Sequence, residues 1–423
     1  MHREGVEIMS PAGNFESLVA AIQGGANAVY FGIGHLNMRS HSANNFNESD
    51  LQEIVRICKE SNVKTYLTLN ITLYDEDLDA MHSAVDSAKS AGVTAIIASD
   101  ISAIRYAREV GVEVHISTQL NIANIDSVRY YSQFADVMVL ARELNLNQIK
   151  AISKKIDDEQ IKGPAGNLVK LELFAHGALC MAISGKCYLS LHEVNASANR
   201  GNCHQICRRG YEVTELDSGR SLHVDNEYIM SPKDLATIEF VDKILDAGVS
   251  VLKIEGRARS AEYVKTVTSA YRKAVDAYFD KNFTDELKSE LKAQTAKVFN
   301  RGFWDGYYQG ARLGEWSEVY GNKATRRKVY VAKVTNFFTN LSVAEVLVET
   351  GEICVGDEVV IIGPSTGVNE FKVEEIRVNL ESVNKAIKGD YCSIPVTIGT
   401  KLRRSDKIYL WKESGEIPKY HNQ

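Results

Sequence analysis

The amino-acid sequence predicts an α/β architecture, a (β/α)8 TIM-like barrel followed by a small C-terminal antiparallel β-barrel, on three observations. One phrase recurs from Gly24 to Gly256: an amphipathic helix ends near a glycine or small turn, and a short β-rich run follows. With the opening run and one late run added to the six that share the phrase, the strands number eight. Near Thr325 the pattern changes to short, alternating, β-branched segments.

Taken in order, VEIMSPAG is the first strand, and GGANAVYFG, SNVKTYLTLN, AGVTAIIAS, VGVEVHISTQ and FADVMVLAREL follow it. LELFAHG is the seventh and AGVSVLKIEG the eighth. A glycine just past a helix end supplies a left-handed cap, and the apolar run after it reads as a strand buried on both faces. Between the runs lie NFESLVAAIQ, LQEIVRICKE, DLDAMHSAVDSAKS and NIDSVRYYSQF, with apolar residues at three- and four-residue intervals. Eight such units point to a closed barrel. A helix from Tyr263 to Asp280 closes it, and FTDELKSELKAQTAKVF is another amphipathic helix. In FNRGFWDGYYQGARLGEW, Phe303, Trp304, Tyr307 and Tyr308 alternate with glycines, either as a loop packed on the barrel or as a stacking platform for bases.

From Val329 the segments VYVAKVTNFF, SVAEVLVE, DEVVIIG, EFKVEEIRV and YCSIPV read as a small closed β module. The expected divisions are 1–325 for the (β/α)8 barrel with an inserted cysteine-rich segment at 171–211, 326–405 for the small β-barrel, and 406–423 for a C-terminal tail. TRRK at 325–328 and KLRR at 401–404 bracket the module and would suit a phosphate backbone, although charge runs are usually solvated faces.

With 423 residues, 44% hydrophobic and 25% charged, the chain can bury a large core. Its start has no apolar signal-peptide core, and no run approaches the length of a membrane span, so a cytoplasmic protein that does not cross a membrane is expected. A net charge of -6 argues against indiscriminate coating of nucleic acid and leaves room for a local basic groove.

Barrels of this kind carry chemistry at the carboxyl ends of their strands. Those ends hold Ser10, Asn14, Arg39, Asn70, Gln119, Asn121, Arg142, Glu143, His176, Glu255 and Arg257. Asn14 and Asn121 read as helix caps. Glu255 and Arg257, directly after VSVLKI, should sit at the barrel mouth, where they either act on a substrate or pair with each other.

Four of the seven cysteines, Cys180, Cys187, Cys203 and Cys207, are separated by only six, fifteen and three residues. Grouped thiols in a reducing compartment more often bind metal or do redox chemistry than form disulfides. The spacing differs from the paired C-x2-C of common zinc modules, and four thiolates hold either zinc or an iron–sulfur cluster, with the cluster favoured. Free cysteines packed as small hydrophobes are the alternative, and that reading holds for Cys58, Cys354 and Cys392. Arg200, Arg208 and Arg209 would offset the charge of a thiolate-bound cluster and could face a phosphate or carboxylate.

The runs ELFAHGALCMAISGKCYLS and GNCHQICRRGY resemble the signature of the peptidase U32 family, also called collagenase-like proteases. SPAGNFESLVAAIQGGANAVYFG, IMSPKDL, LKIEGR, FNRGF and the C-terminal β module extend the resemblance over most of the chain. It is similar to the RNA-hydroxylating branch, whose members form 5-hydroxyuridine at the tRNA wobble position or 5-hydroxycytidine in ribosomal RNA, the tRNA branch being linked to prephenate. The resemblance implies a 4Fe-4S cluster on Cys180, Cys187, Cys203 and Cys207, with RNA as partner. His176 is then the candidate proton-transfer residue, or else a hydrogen-bonded support for the ligand loop. Glu255 and Arg257 complete the candidate catalytic set, and Arg39, Gln119, Arg208 and Arg209 the substrate-binding one. A peptidase is the alternative, and a nonenzymatic RNA-binding or maturation factor a third reading. No H-E-x-x-H or G-x-S-x-G is present, and a Cys180–His176 nucleophile conflicts with a metal-bound thiolate.

Overall fold

The computed structural model describes residues 2–41, 45–212, 217, 229–310, 314–318, 321–397 and 401–416. The expected strands are β1 (Glu7–Pro11), β2 (Ala28–Phe31), β3 (Lys64–Leu69), β4 (Ala95–Ala98), β5 (Glu113–Ile116), β6 (Val137–Val139) and β7 (Lys170–Gly177), followed after an intervening segment by β9 (Val251–Ile254). Parallel pairing runs from β1 to β7 in order and closes through β9, which pairs with both β7 and β1. The eight-stranded parallel barrel is therefore complete. Between them, β8 (Asp234–Ala236) is not a stave: it turns antiparallel against the end of β7 and carries the short parallel β10 (Phe303–Trp304).

Local chemistry explains the helices. In α1 (Phe15–Gln23) the Asn14 side chain accepts from the Ser17 amide, so Asn14 is a cap as expected. The helices α2 (Leu51–Glu60), α3 (Leu78–Ala91), α4 (Ile101–Glu109), α5 (Ile125–Tyr131) and α6 (Leu146–Asp158) bury their apolar faces on the outside of the barrel. Beyond the cysteines come α7 (Leu189–Val194), α8 (Val241–Asp246), the long α9 (Ala261–Phe279) and α10 (Asp285–Ala296). In the aromatic loop, Trp304 and Tyr308 are buried and the Tyr308 hydroxyl donates to the Phe174 carbonyl oxygen at 3.0 Å. That loop packs on the barrel and is no open stacking platform.

Inside the barrel, Met9, Ala28, Tyr30, Tyr66, Ala95, Ile97, Val137 and Val251 form a core separate from the outer one. Charges share that space. Tyr66 donates to Glu7 Oε1 at 2.7 Å, and Lys253 Nζ donates to Glu172 Oε1 at 2.8 Å with both side chains almost wholly buried.

The C-terminal module consists of β11 (Arg326–Phe338), β12 (Val343–Val348), β13 (Glu352–Cys354), β14 (Glu358–Gly363), β15 (Gly367–Lys372), β16 (Ile376–Val378), β17 (Glu381–Val383), β18 (Lys385–Ile387), β19 (Tyr391–Pro395) and β20 (Lys407–Glu413). Eight of these form one antiparallel sheet in the order β15-β14-β20-β11-β12-β19-β16-β17, and β13 pairs with β18. The sheets wrap a core of their own. Residues 407–413, expected in a tail, instead form β20, hydrogen-bonded on both sides to β11 and β14. Alternation places Ile408 and Leu410 inside, which is why this segment joins the sheet. Residues 417–423 of the expected tail lie outside the described residues.

The module docks on the barrel's outer layer, where Val360, Val368 and Trp411 join the barrel cluster. Gln23 accepts from the Val368 amide at 2.9 Å and donates to the Thr366 carbonyl oxygen at 3.0 Å. A side chain at Gly367, whose φ is +65°, would meet Gln23 Oε1 at 2.5 Å, so this contact requires glycine.

Removing one partner of the Lys253–Glu172 pair leaves the other charge buried. Lys253→Met should cost about 3 kcal/mol of unfolding free energy, and adding Glu172→Leu should recover most of it, as checked by urea denaturation of both singles and the double.

Candidate functional site

At the carboxyl end of the barrel the strand ends and the loop after β7 enclose one cavity. All four clustered cysteines line it, together with Arg39, Gln119, Arg208, Glu255 and Arg257. Among the described residues its wall also holds Arg142, Arg259, Arg301 and Lys253, and Glu255 is its only carboxylate. The wall is thus strongly cationic, in a chain whose net charge is negative.

Glu255 organises the mouth. Arg39 Nη2 donates to its Oε1 at 2.6 Å, and the Tyr30 hydroxyl, which donates to the Ile254 carbonyl oxygen at 2.9 Å, stands 3.3 Å from its Oε2. Burial acts to raise the Glu255 pKa, but Arg39, Arg142 and Arg257 outweigh it and hold the carboxyl at about 2. Arg257 does not pair directly with Glu255: its Nη1 donates to Asn37 Oδ1 at 2.9 Å and Thr68 Oγ1 at 3.0 Å. Burial pulls the Arg257 pKa down to about 10 against the upward pull of Tyr30 and Glu255. It stays a cation at neutral pH.

The thiol loop leaves the barrel at Gly177, whose φ is +105°, and a Cβ there would lie 2.5 Å from the Glu255 carbonyl oxygen. The loop is tied down at several points. Arg208 donates to the carbonyl oxygens of Leu179 and Pro232, each at 2.6 Å. Asn121, expected only as a cap, donates through Nδ2 to the Ser184 carbonyl oxygen at 3.0 Å. Arg200 donates to Asp77 Oδ2 at 2.7 Å and lies 3.9 Å over the Tyr74 ring. These arginines serve first as clamps.

The four thiols are free. Burial raises the Cys207 pKa, Arg208 lowers it, and Cys180, Cys203 and Cys187 raise it further, so all four lie within electrostatic reach. Among the described residues no three His, Cys, Asp or Glu side chains are gathered tightly enough to hold a single metal ion. The donor set nonetheless suits a cluster: four soft sulfurs, no disulfide, one shared cavity and nearby cations.

Two candidate residues fall elsewhere. His176 does not line the cavity; it is buried among Tyr263, Tyr271 and Phe303, with Nδ1 3.4 Å from the Tyr271 hydroxyl. Burial lowers its pKa to about 3, which leaves the imidazole neutral. The cause is a register irregularity between Phe174 and His176 against β9, which breaks the alternation that puts Phe174 on the cavity wall. Arg209 also lies outside, half-exposed and 3.9 Å from Glu193. In TRRK, Arg326 and Lys328 are held in ion pairs with Glu358 and Glu262. Sequence reasoning missed Tyr30 and Lys253, for which the only signal is a polar residue at alternate positions within an apolar strand.

The chain matches the sequence profile of Peptidase family U32 over residues 13–318. It is 57% identical over 410 residues to a protein of Porphyromonas gingivalis named collagenase, covering 97% of this chain and 99% of that one. It is 34% identical to tRNA hydroxylation protein P1 of Bacillus subtilis, covering 85% and 83% of the two chains. It is 31% identical to a 23S rRNA 5-hydroxycytidine synthase of Escherichia coli, covering 87% of this chain and 56% of that protein.

Because the Glu255 pKa is depressed in the folded state, its stabilising contribution is complete above the unfolded value near 4.5 and is lost as pH falls through about 2. Glu255→Gln should therefore flatten the loss of stability across that window, measured as urea midpoints at neutral pH and at about pH 3.

Proposed function

The chain belongs to peptidase family U32, and on that footing we propose that it is an iron–sulfur RNA-modifying enzyme that hydroxylates a pyrimidine at carbon 5. The product would be 5-hydroxyuridine at the tRNA wobble position or 5-hydroxycytidine in ribosomal RNA. One observation carries the reading: four free cysteines and six arginines converge on a single cavity at the catalytic end of a (β/α)8 barrel. Relatives at 34% and 31% identity are named for tRNA hydroxylation and rRNA 5-hydroxycytidine synthesis, which supports RNA as the substrate.

Cys180, Cys187, Cys203 and Cys207 would hold a 4Fe-4S cluster. A tetrahedral zinc at about 2.3 Å from each sulfur needs thiols about 3.8 Å apart, whereas cluster ligands sit on separate irons. Four soft sulfurs on one cavity wall with cations nearby suit the cluster, and zinc is the alternative. When bound, the cluster supplies redox chemistry that no side chain offers. The chain's own residues supply recognition. Arg39 and Arg257, fixed by Glu255, Asn37 and Thr68, donate toward the base oxygens and the flanking phosphate, and ionised Glu255 accepts from a base N–H. Gln119, on the cavity wall, adds an amide able to donate and accept. The prephenate link implied for the tRNA branch belongs to the same proposal, and the cationic wall suits a dicarboxylate. Exposed Arg327, Arg403 and Arg404 on the C-terminal module are available to an RNA stem.

The relative named collagenase favours peptide hydrolysis as the second reading. Against it, no histidine lines the cavity among the described residues, and the imidazole nearest in sequence to Cys180 faces away. A cysteine–histidine nucleophile has no base here.

Anaerobically purified protein should carry about four iron and four acid-labile sulfide per chain. Cys203→Ser should lower both, and nucleoside mass spectrometry of RNA from a deletion strain should lack one hydroxypyrimidine, restored by the wild-type gene and not by Cys203→Ser. Iron-free protein that cleaves peptides, with the activity lost in Cys180→Ala alone, would overturn the proposal in favour of the peptidase.

A further inference from the structure

Around the cavity mouth the cysteine loop and α7 leave Met181, Ile183, Tyr188, Leu191 and Val194 exposed. A cluster of large apolar side chains within one short segment marks an interaction surface, where scattered ones would need no explanation. Tyr188 is 68% exposed, the most exposed aromatic among the described residues. Across the same barrel end Tyr74 is half-exposed, and Arg200, clamped by Asp77, covers one face of its ring at 3.9 Å. Its other face is a supported aromatic platform. From residue 178 to 211 the charges are Lys186, Arg200, Arg208 and Arg209 against one carboxylate, Glu193. The cysteine loop is therefore cationic and apolar together, whereas Tyr74 is followed by Asp75, Glu76, Asp77 and Asp79, of which Asp77 is paired with Arg200.

We propose that this rim, with Tyr188 and Tyr74 as stacking platforms, is the docking surface for the unpaired nucleotides that flank the target pyrimidine. Apolar side chains alone would suit a protein partner equally well. On the cysteine loop, the cationic balance, the exposed Tyr188 face and the continuity with an arginine-lined cavity select a single-stranded polyanion whose bases need stacking partners. Reaching a base in a folded RNA means unstacking its neighbours, and an exposed tyrosine face at this end of the barrel offsets that loss. The inference rests on the RNA reading above.

The test uses anaerobically purified full-length protein, a fluorescein-labelled RNA hairpin with a single-stranded loop, and a blunt RNA duplex of the same length. Variants are compared at iron contents equal to wild type. Wild type should prefer the hairpin. Tyr188→Ala and Tyr74→Ala should each weaken hairpin binding about ten-fold, and Tyr188→Phe and Tyr74→Phe should restore it. The salt dependence of binding should stay unchanged, because no phosphate contact is removed. Leu191→Ser, clear of the cysteines, should weaken it less. Alanine variants that bind like wild type would overturn this surface and leave the RNA reading standing. A wild-type protein that binds neither RNA would overturn both. A dimer in light scattering that Leu191→Glu converts to monomer would assign the rim to a second copy of the chain.

Discussion

A carboxylate buried among guanidinium groups is the constraint from which the mouth of this barrel follows. Glu255 sits at the end of the stave that closes the ring, and Arg39 reaches it from the loop beyond β2. An isolated buried carboxylate would take up a proton, and an isolated buried arginine would not stay buried. Together they hold each other charged, and Arg257 is propped by Asn37 and Thr68 so that it adds to the same field without collapsing onto the carboxylate. The loop bearing the thiols then settles over a mouth whose charges are already arranged. Arg208 ties that loop to the residues just before β8, and Asn121 ties it to the end of the fifth stave. Positive charge here therefore has two duties, clamping the loop and facing the cavity, and Arg208 does both.

Much of the fold was legible because buried parallel strands read as apolar runs with glycine at the preceding helix ends. All eight staves appear where those runs lie. The cysteines were legible because clustering survives any uncertainty about loop shape. What stayed hidden depends on closure or on backbone detail. Lys253 and Glu172 become partners only when β7 and β9 pair, and neither sequence context announces the other. His176 was picked for its place just before the first cysteine, and its turn away from the cavity to Tyr263, Tyr271 and Phe303 comes with an irregularity in β7 that no sequence pattern announces. The strand at Lys407–Glu413 was hidden by the basic stretch before it, which separates it from the other β segments.

The aromatic loop after α10 shows the same limit from the other side. Glycines among Trp304, Tyr307 and Tyr308 left packing favoured over binding without deciding it, and the deciding facts are tertiary: the Tyr308 hydroxyl meets a carbonyl of the seventh stave, and Trp304 is covered. Exposure, rather than composition, separates a stacking surface from a core. At the carboxyl end of the barrel, that criterion leaves Tyr188 on the cysteine loop and Tyr74 beside Arg200 as exposed rings.

The seam of the barrel has a consequence for biosynthesis. Its first stave pairs with its last, and the last lies C-terminal to all four clustered cysteines. As the chain emerges, β1 has no final neighbour until the whole thiol segment has been made, so the ring cannot close before that point in translation. The strand turn that reaches Gln23 arrives later still, and it braces α1 beside that seam. Synthesis order thus makes the C-terminal module the last part to brace the barrel's oldest strand.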